Sequence, residues 1–321
     1  MDGYMARFAH RPVMVDEIVE LFRSVPSGTV VDATVGGGGH AAAVLDAVSH
    51  VSLLGLDRDA EAVTAAGETL ARFGDRVMLR QVRFDALTDT MNELGMETIA
   101  GVLFDLGVSS PQLDRAERGF SYRLEAALDM RMDQRQPRSA AEIVNQSDVA
   151  ELTRVLREYG DERYAARIAR AIVAARPVLT TTELAAVVRD AIPAPARRRG
   201  GHPAKRTFQA LRIEVNNELA VLADALDQAI GALAPGGRCV VLSYHSGEDR
   251  IVKERFRAAA TGGCTCPPGL PCQCGATKLA RELRPLKRRP RAEEVRANPR
   301  SESAVLRAVE KLTVSSARGA G

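Results

Sequence analysis

Between positions 29 and 105, short apolar runs alternate with longer segments whose apolar residues recur every three or four positions. Runs of the first kind predict strands buried on both faces, and segments of the second kind predict amphipathic helices. Strands are expected at 29–33, 51–56, 77–83 and 100–105, and helices at 39–48, 59–73 and 85–94. That order predicts a parallel, doubly wound α/β sheet. From about 112 to 205 the strand pattern stops. Ser139-Ala-Ala-Glu142 and Thr180-Thr-Thr-Glu183 have capping-box spacing, and 163–175 has helical spacing, so this stretch reads as an all-helical insertion. A long helix over 207–233, a turn at Ala234-Pro-Gly-Gly237, a strand at 238–243, a helix over 247–259 and a last strand at 304–309 complete the pattern. The expected layout is a core over 1–115 and 206–312, a helical insertion over 116–205, and a Ser-, Ala- and Gly-rich tail over 313–321 that predicts disorder.

The densest signal is Thr29-Val-Val-Asp-Ala-Thr-Val-Gly-Gly-Gly-Gly-His40, a strand closed by an acid, four glycines and a helix start. Glycines let backbone approach a ligand, and the next helix offers its N-terminal amides. About twenty residues on, the second strand ends in Asp57, where a ribose partner is expected. Asp59 suits the cap of the following helix better than Asp57 does. By itself the loop serves a dinucleotide or S-adenosylmethionine equally well.

Two further motifs fall at strand ends. Phe104-Asp-Leu-Gly-Val-Ser-Ser-Pro-Gln112 follows the fourth strand, and Asp105 there can face a cofactor and a reacting group. Ser243-Tyr-His-Ser-Gly-Glu-Asp-Arg250 follows a buried strand; His245 is a second candidate for proton chemistry, with a structural histidine as the alternative. Cys264, Cys266, Cys272 and Cys274 crowd into eleven positions. Their C-x-C spacing is less typical of zinc than C-x-x-C, so no metal is assigned and the choice between zinc and reduced surface thiols stays open.

The 321 residues are enough for a sizeable core. With no Trp and 4% aromatics, Leu, Val, Ile and Ala must fill it. No apolar run approaches the roughly 20 residues that span a bilayer, and the first fifteen residues lack a signal-peptide layout. A cytoplasmic protein with no membrane partner is expected. Net charge is only +3 but unevenly spread. Arg197, Arg198, Arg199, Lys205 and Arg206 lie in ten residues without an acid, and 278–300 carries nine cations against three acids. Two such clusters beside a nucleotide fold point to nucleic acid.

Taken together, His10-Arg-Pro-Val13, Asp32-Ala-Thr-Val-Gly-Gly-Gly-Gly-His40, Leu56-Asp-Arg-Asp59, Asp105-Leu-Gly-Val-Ser-Ser-Pro-Gln-Leu-Asp114, Leu128-Asp-Met-Arg-Met-Asp133, His202-Pro-Ala-Lys-Arg-Thr-Phe-Gln-Ala-Leu-Arg-Ile213 and His245-Ser-Gly-Glu-Asp-Arg-Ile-Val-Lys253 resemble, in order, the bacterial 16S ribosomal RNA cytosine-N4 methyltransferases of the MraW type. The resemblance runs from about His10 to Val309. It implies a Rossmann-like S-adenosylmethionine-dependent methyltransferase sheet whose helical insertion helps bind RNA. It implies methylation of the exocyclic N4 amine of a cytosine in the decoding centre of 16S ribosomal RNA. The cofactor contacts it implies are Gly38, Gly39, His40, Asp57, Phe84, Asp105 and Gln112. Gly247 departs from the Leu usual in the pattern, and the C-x-C pairs occur in only part of the family. Asp105 is the first candidate to orient the target amine. The basic run Arg197, Arg198, Arg199, Lys205 and Arg206 is the candidate phosphate contact, with 16S ribosomal RNA or the small subunit as partner and a homodimer as a further possibility. Phe120, Tyr122, Phe208 and Tyr244 are available to stack on a base, though core packing is the default for each. Two other readings stay open: a nicotinamide-dependent oxidoreductase, and an inactive RNA-binding ribosome assembly factor.

Overall fold

The computed structural model describes residues 12–197, 201–267, 273–284 and 288–313, with the side chains of 110 and 111 excepted. Arg198, Arg199, Cys272, His10 and the tail from 314 lie outside the described residues. The described residues divide into two compact units, one over Val108–Ala220 and the other over those up to Gly107 and from Val221 onward.

The first part of the sheet unit contains α1 (Val15–Phe22), β1 (Gly28–Asp32), α2 (Gly39–Ala47), β2 (Val51–Asp57), α3 (Ala60–Leu70), β3 (Val77–Gln81), α4 (Leu87–Glu93) and β4 (Ile99–Asp105). The four expected strands are all present. The helical unit follows with α5 (Ser110–Asp114), α6 (Ala140–Gln146), α7 (Val149–Glu158), α8 (Ala165–Ala174), α9 (Thr181–Ala191), α10 (Ala194–Arg197) and α11 (Lys205–Asn216). Both capping boxes form: Ser139 caps α6 with Glu142 reaching back, and Thr180 caps α9 with Glu183. Its core gathers Ile143, Leu152, Leu156, Ile168, Leu184 and Leu211. Phe208, Ala210 and Leu211 of α11 are buried there, so the helical unit extends beyond the expected 205.

The rest of the chain contains α12 (Glu218–Ala232), β5 (Leu233–Ser243), α13 (Ser246–Thr261), β6 (Ala280–Leu283), α14 (Ala292–Ala297) and β7 (Val305–Lys311). The single helix expected over 207–233 is broken. Asn217 takes a left-handed conformation (φ 52°), which Asn tolerates better than most residues. Asn216 fixes the break: its amide donates to the Met130 carbonyl at 2.7 Å and accepts from the Met132 N–H at 2.8 Å. The Ala234-Pro-Gly-Gly237 turn is absorbed into β5 as an irregularity in its pairing with β4. Strand β6 was not expected, because Ala280-Arg-Glu-Leu283 is short and lacks alternation; it exists by pairing with β7 at the sheet edge.

The strand order is β3-β2-β1-β4-β5-β7-β6. β1 to β5 pair in parallel, and β7 runs antiparallel to both β5 and β6. Alternate strand residues supply opposite faces. Leu53, Leu103 and Val240 pack with α1, α2 and α3, whereas Leu54, Val102, Phe104 and Val241 pack with α4, α12 and α13. The order reverses between β1 and β4, so a crevice opens at their carboxyl ends, where open α/β sheets bind ligands. Among the described residues no helix is long and apolar enough to cross a membrane.

Candidate cofactor and catalytic site

Three neighbouring parallel strands, β2, β1 and β4, each end in an aspartate: Asp57, Asp32 and Asp105. Their environments separate their roles. Asp32 is buried, and burial pushes its carboxyl up to about 8 against the Thr34 N–H that it accepts at 3.2 Å; the Asp105 and Asp57 charges push the same way as burial. Asp32 is therefore held toward its neutral form inside the sheet. Asp57 is half-buried and accepts the N–H of Asp59 at 2.9 Å and of Gly36 at 3.0 Å, one on each oxygen. Burial raises it, while those two donors pull the other way. A carboxylate has about four acceptor positions, so capacity for hydroxyls remains. Asp59 caps α3 through the Glu61 N–H at 3.1 Å, as expected of it.

The glycine run forms the turn between β1 and α2. Gly36 (φ 51°) and Gly38 (φ 82°) are left-handed, and a Cβ on Gly38 would stand 3.2 Å from the Leu70 side chain and 3.3 Å from the Ala66 backbone. Gly38 is the N-cap of α2 and gives it no side-chain cap, and the first turn of α2 carries no acid. Its amides thus suit an external carboxylate or hydroxyl. Thr34 ties the loop to β4, its hydroxyl accepting the Asp105 N–H at 2.7 Å. His40 is buried; its Nε2 donates to the Val13 carbonyl at 2.8 Å and its Nδ1 stands 3.5 Å from Asp105 Oδ2.

Asp105 is 28% exposed in its side chain, so it can meet a ligand while its other contacts hold it. Tyr244 donates its hydroxyl to Asp105 Oδ1 at 2.8 Å. Burial, then the Asp105 charge, raises the Tyr244 phenol well above its usual range, so it stays a donor. The sequence offered Tyr244 only as a stacking ring; its hydroxyl contact depends on β5 lying beside β4, with Leu242 opposite Asp105. His245 is the N-cap of α13, with Nδ1 accepting the Glu248 N–H at 3.4 Å. Its Nε2 lies 3.1 Å from Glu248 Oε1 without hydrogen-bond alignment. Glu248 closes the box by accepting from the Tyr244 N–H at 2.7 Å and the His245 N–H at 3.3 Å. The ring therefore organises the start of α13.

Phe84 is buried just after β3 and meets Phe104 edge-on at 5.8 Å. In the helical unit, Gln112 is buried in α5, and its Oε1 accepts the Ser109 N–H at 3.1 Å. The structure thus brings the glycine loop, His40, Asp57 and Asp105 to one edge of the sheet. Of the basic run, Lys205 and Arg206 are exposed, Arg206 donating to the Asp161 carbonyl at 2.8 Å. Arg197 is engaged with the Ile192 carbonyl at 2.7 Å and the Asp190 carbonyl at 3.1 Å. Phe120 and Phe208 are buried in the helical core, whereas half-buried Tyr122 stacks on the exposed His202 ring at 4.3 Å.

Residues 7–312 match the model of the MraW methylase family. The ribosomal RNA small subunit methyltransferase H of Symbiobacterium thermophilum is 52% identical over 310 residues, covering 95% of this chain and 97% of that one. Its counterpart from Acidothermus cellulolyticus is 55% identical over 312 residues, covering 94% of each. A solved rRNA methylase from Streptococcus thermophilus is more distant, at 13% identity and a TM-score of 0.40 over 93% of this chain and 94% of that one. The chain belongs to the MraW methylase family.

Proposed function

We propose that this chain transfers a methyl group from S-adenosylmethionine to the exocyclic N4 amine of a cytosine in the decoding centre of 16S ribosomal RNA, in the cytoplasm. The observation that carries the reading is Asp105, presented at the switch-point edge and held by Tyr244 and Thr34 beside the glycine loop. The residues present fit S-adenosylmethionine. Left-handed Gly36 and Gly38 and the α2 amides suit its methionine end, Asp57 suits its ribose hydroxyls, and Phe84 offers an apolar wall to its adenine. The partly exposed carboxylate of Asp105 also complements a cation. When bound, S-adenosylmethionine supplies an electrophilic methyl on a sulfonium.

The work of the protein is orientation and proton handling. The cytosine amine is a weak nucleophile because its lone pair is delocalised into the ring, so alignment provides much of the rate. Asp105 accepts an amine N–H, turning the nitrogen toward the methyl, and serves as acceptor for the proton released. Tyr244 fixes the carboxylate rotamer from behind. His40, held by the Val13 carbonyl, limits the carboxylate on its other side. Gln112 joins the cofactor contacts in this reading. The target base must leave its stack to reach such a site. The helical unit grips the RNA, with Lys205 and Arg206 on phosphates, together with Arg197, Arg198 and Arg199 of the same run.

The test incubates the protein and radiolabelled S-adenosylmethionine with either naked 16S ribosomal RNA or small subunits, followed by nucleoside analysis. Label in N4-methylcytidine is expected. Cofactor binding with no label in either substrate would return the chain to the assembly-factor reading.

A further inference from the structure

Among the described residues, the segment between α13 and β6 carries three cysteines that methyl transfer does not use. Cys264 and Cys266 are half-buried, Cys274 is exposed, and the three sulfurs all lie within 4.8 Å of one another. Tetrahedral zinc with Zn–S bonds of about 2.3 Å spaces its sulfurs roughly 3.8 Å apart, so little movement separates this cluster from a ligand set.

Backbone donors already face the centre of the group. The N–H groups of Gln273 and Cys274 point at the Cys266 sulfur, as do the side chains of Cys274 and Cys264. Amide donors on sulfur are the outer shell that orients thiolate ligands. Both flanks of the segment are anchored. Gly262 ends α13 in a left-handed turn, the Cys264 N–H reaches the Thr261 carbonyl at 3.3 Å, and the Leu279 N–H returns to the Ala259 carbonyl at 2.9 Å. Cys239 shows the contrast: it is fully buried on β5, where burial alone raises its thiol.

We propose that Cys264, Cys266 and Cys274 form a structural site for a divalent zinc ion that clips the segment between α13 and β6. Between Cys264 and Cys274 the sequence is rich in Pro, and a metal cross-link among the three cysteines would close the loop that carries them. A tetrahedral ion leaves one position beyond these three for water.

The full-length protein is reconstituted with zinc, separated from free ion by gel filtration without chelator, and analysed for metal. About one zinc per chain is expected, falling to about a tenth of that in the C264S/C266S/C274S variant. Circular dichroism and S-adenosylmethionine binding report whether that variant is folded. If it is not, Cys274→Ser alone, at an exposed position, is expected to weaken zinc binding at least about tenfold. Cobalt substitution provides a second readout, since three thiolates produce intense sulfur-to-cobalt charge-transfer bands. Wild-type protein with no bound zinc after reconstitution, equal zinc in folded wild type and triple variant, or bound cobalt without charge-transfer bands would each overturn the proposal. None of these readouts depends on the methyltransferase activity.

Discussion

The phenol of Tyr244 donates to Asp105 Oδ1 at 2.8 Å, joining the ends of two adjacent parallel strands. Asp105 closes β4, and Tyr244 follows β5 by one residue. A carboxylate held this way presents its other oxygen in one orientation. Hydrogen bonds to charged groups contribute about 1.5–3 kcal/mol, so Tyr244→Phe is expected to lower kcat roughly tenfold or more. S-adenosylmethionine affinity should stay within about twofold, because the phenol acts through Asp105 rather than on the cofactor. Asp105→Ala should lose more turnover still at saturating cofactor. Single-turnover assays with calorimetric titration separate the two quantities, and a Tyr244→Phe protein that loses only cofactor affinity would move the pair from catalysis to binding.

Gly38→Ala tests the cradle. A left-handed non-glycine residue costs about 1–2 kcal/mol, and the new methyl would press on Leu70 and Ala66. The variant is expected to melt at lower temperature and to bind S-adenosylmethionine roughly tenfold more weakly. Gly67→Ala in α3, where the added Cβ meets only Leu79 at 3.8 Å, should instead gain about 0.5–1 kcal/mol. Equal behaviour of the two would remove the special role of Gly38.

Asp32 predicts a pH dependence of stability. Its folded value of about 8 lies above the ordinary carboxylate value of 3.8, so folding favours its protonated form. The stability this group contributes is fully present below pH 4 and is lost as pH rises through 8. Each unit of such a shift corresponds to about 1.4 kcal/mol, so the loss amounts to several kcal/mol. Asp32→Asn should flatten the fall of unfolding free energy between pH 5 and pH 8, measured by urea denaturation at the two values. Parallel pH profiles for wild type and variant would show that Asp32 ionises normally.

The basic run divides by geometry. Lys205 and Arg206 are exposed on α11, and replacing each with Gln should weaken RNA binding and reduce the slope of log K against log salt by about one per contact. Arg197 is committed to the Ile192 and Asp190 carbonyls, so Arg197→Ala should lower thermal stability as well. Fluorescence anisotropy across a salt series distinguishes them; an unchanged slope in the Lys205/Arg206 double variant would make those residues plain surface.

Much of this was legible in the sequence because it is local. Ser139 with Glu142 and Thr180 with Glu183 set helix starts within four residues. The glycine loop announced itself because left-handed backbone at positions 36 and 38 admits little else. Asp59 was correctly separated from Asp57 as a cap. The break at Asn217 was hidden, since amphipathic spacing runs through it and the anchoring partners, Met130 and Met132, lie over eighty residues away. Strand β6 was hidden for a related reason: four residues without alternation become a strand only by pairing with β7.

Sequence alone therefore determined the class of the sheet, the helical insertion, the acid-ended strands and the resemblance to MraW-type methyltransferases, because periodicity, capping and glycine placement are properties of neighbouring residues. Tertiary structure decided what each strand-end acid does. Asp32, Asp57 and Asp105 look alike in the chain, each an acid closing an apolar run. Burial holds the first toward its neutral form, two backbone amides make the second a fixed acceptor, and a phenol from the neighbouring strand makes the third an oriented, partly exposed carboxylate. Those differences arise from solvent exclusion and hydrogen-bond partners that only the assembled sheet brings together.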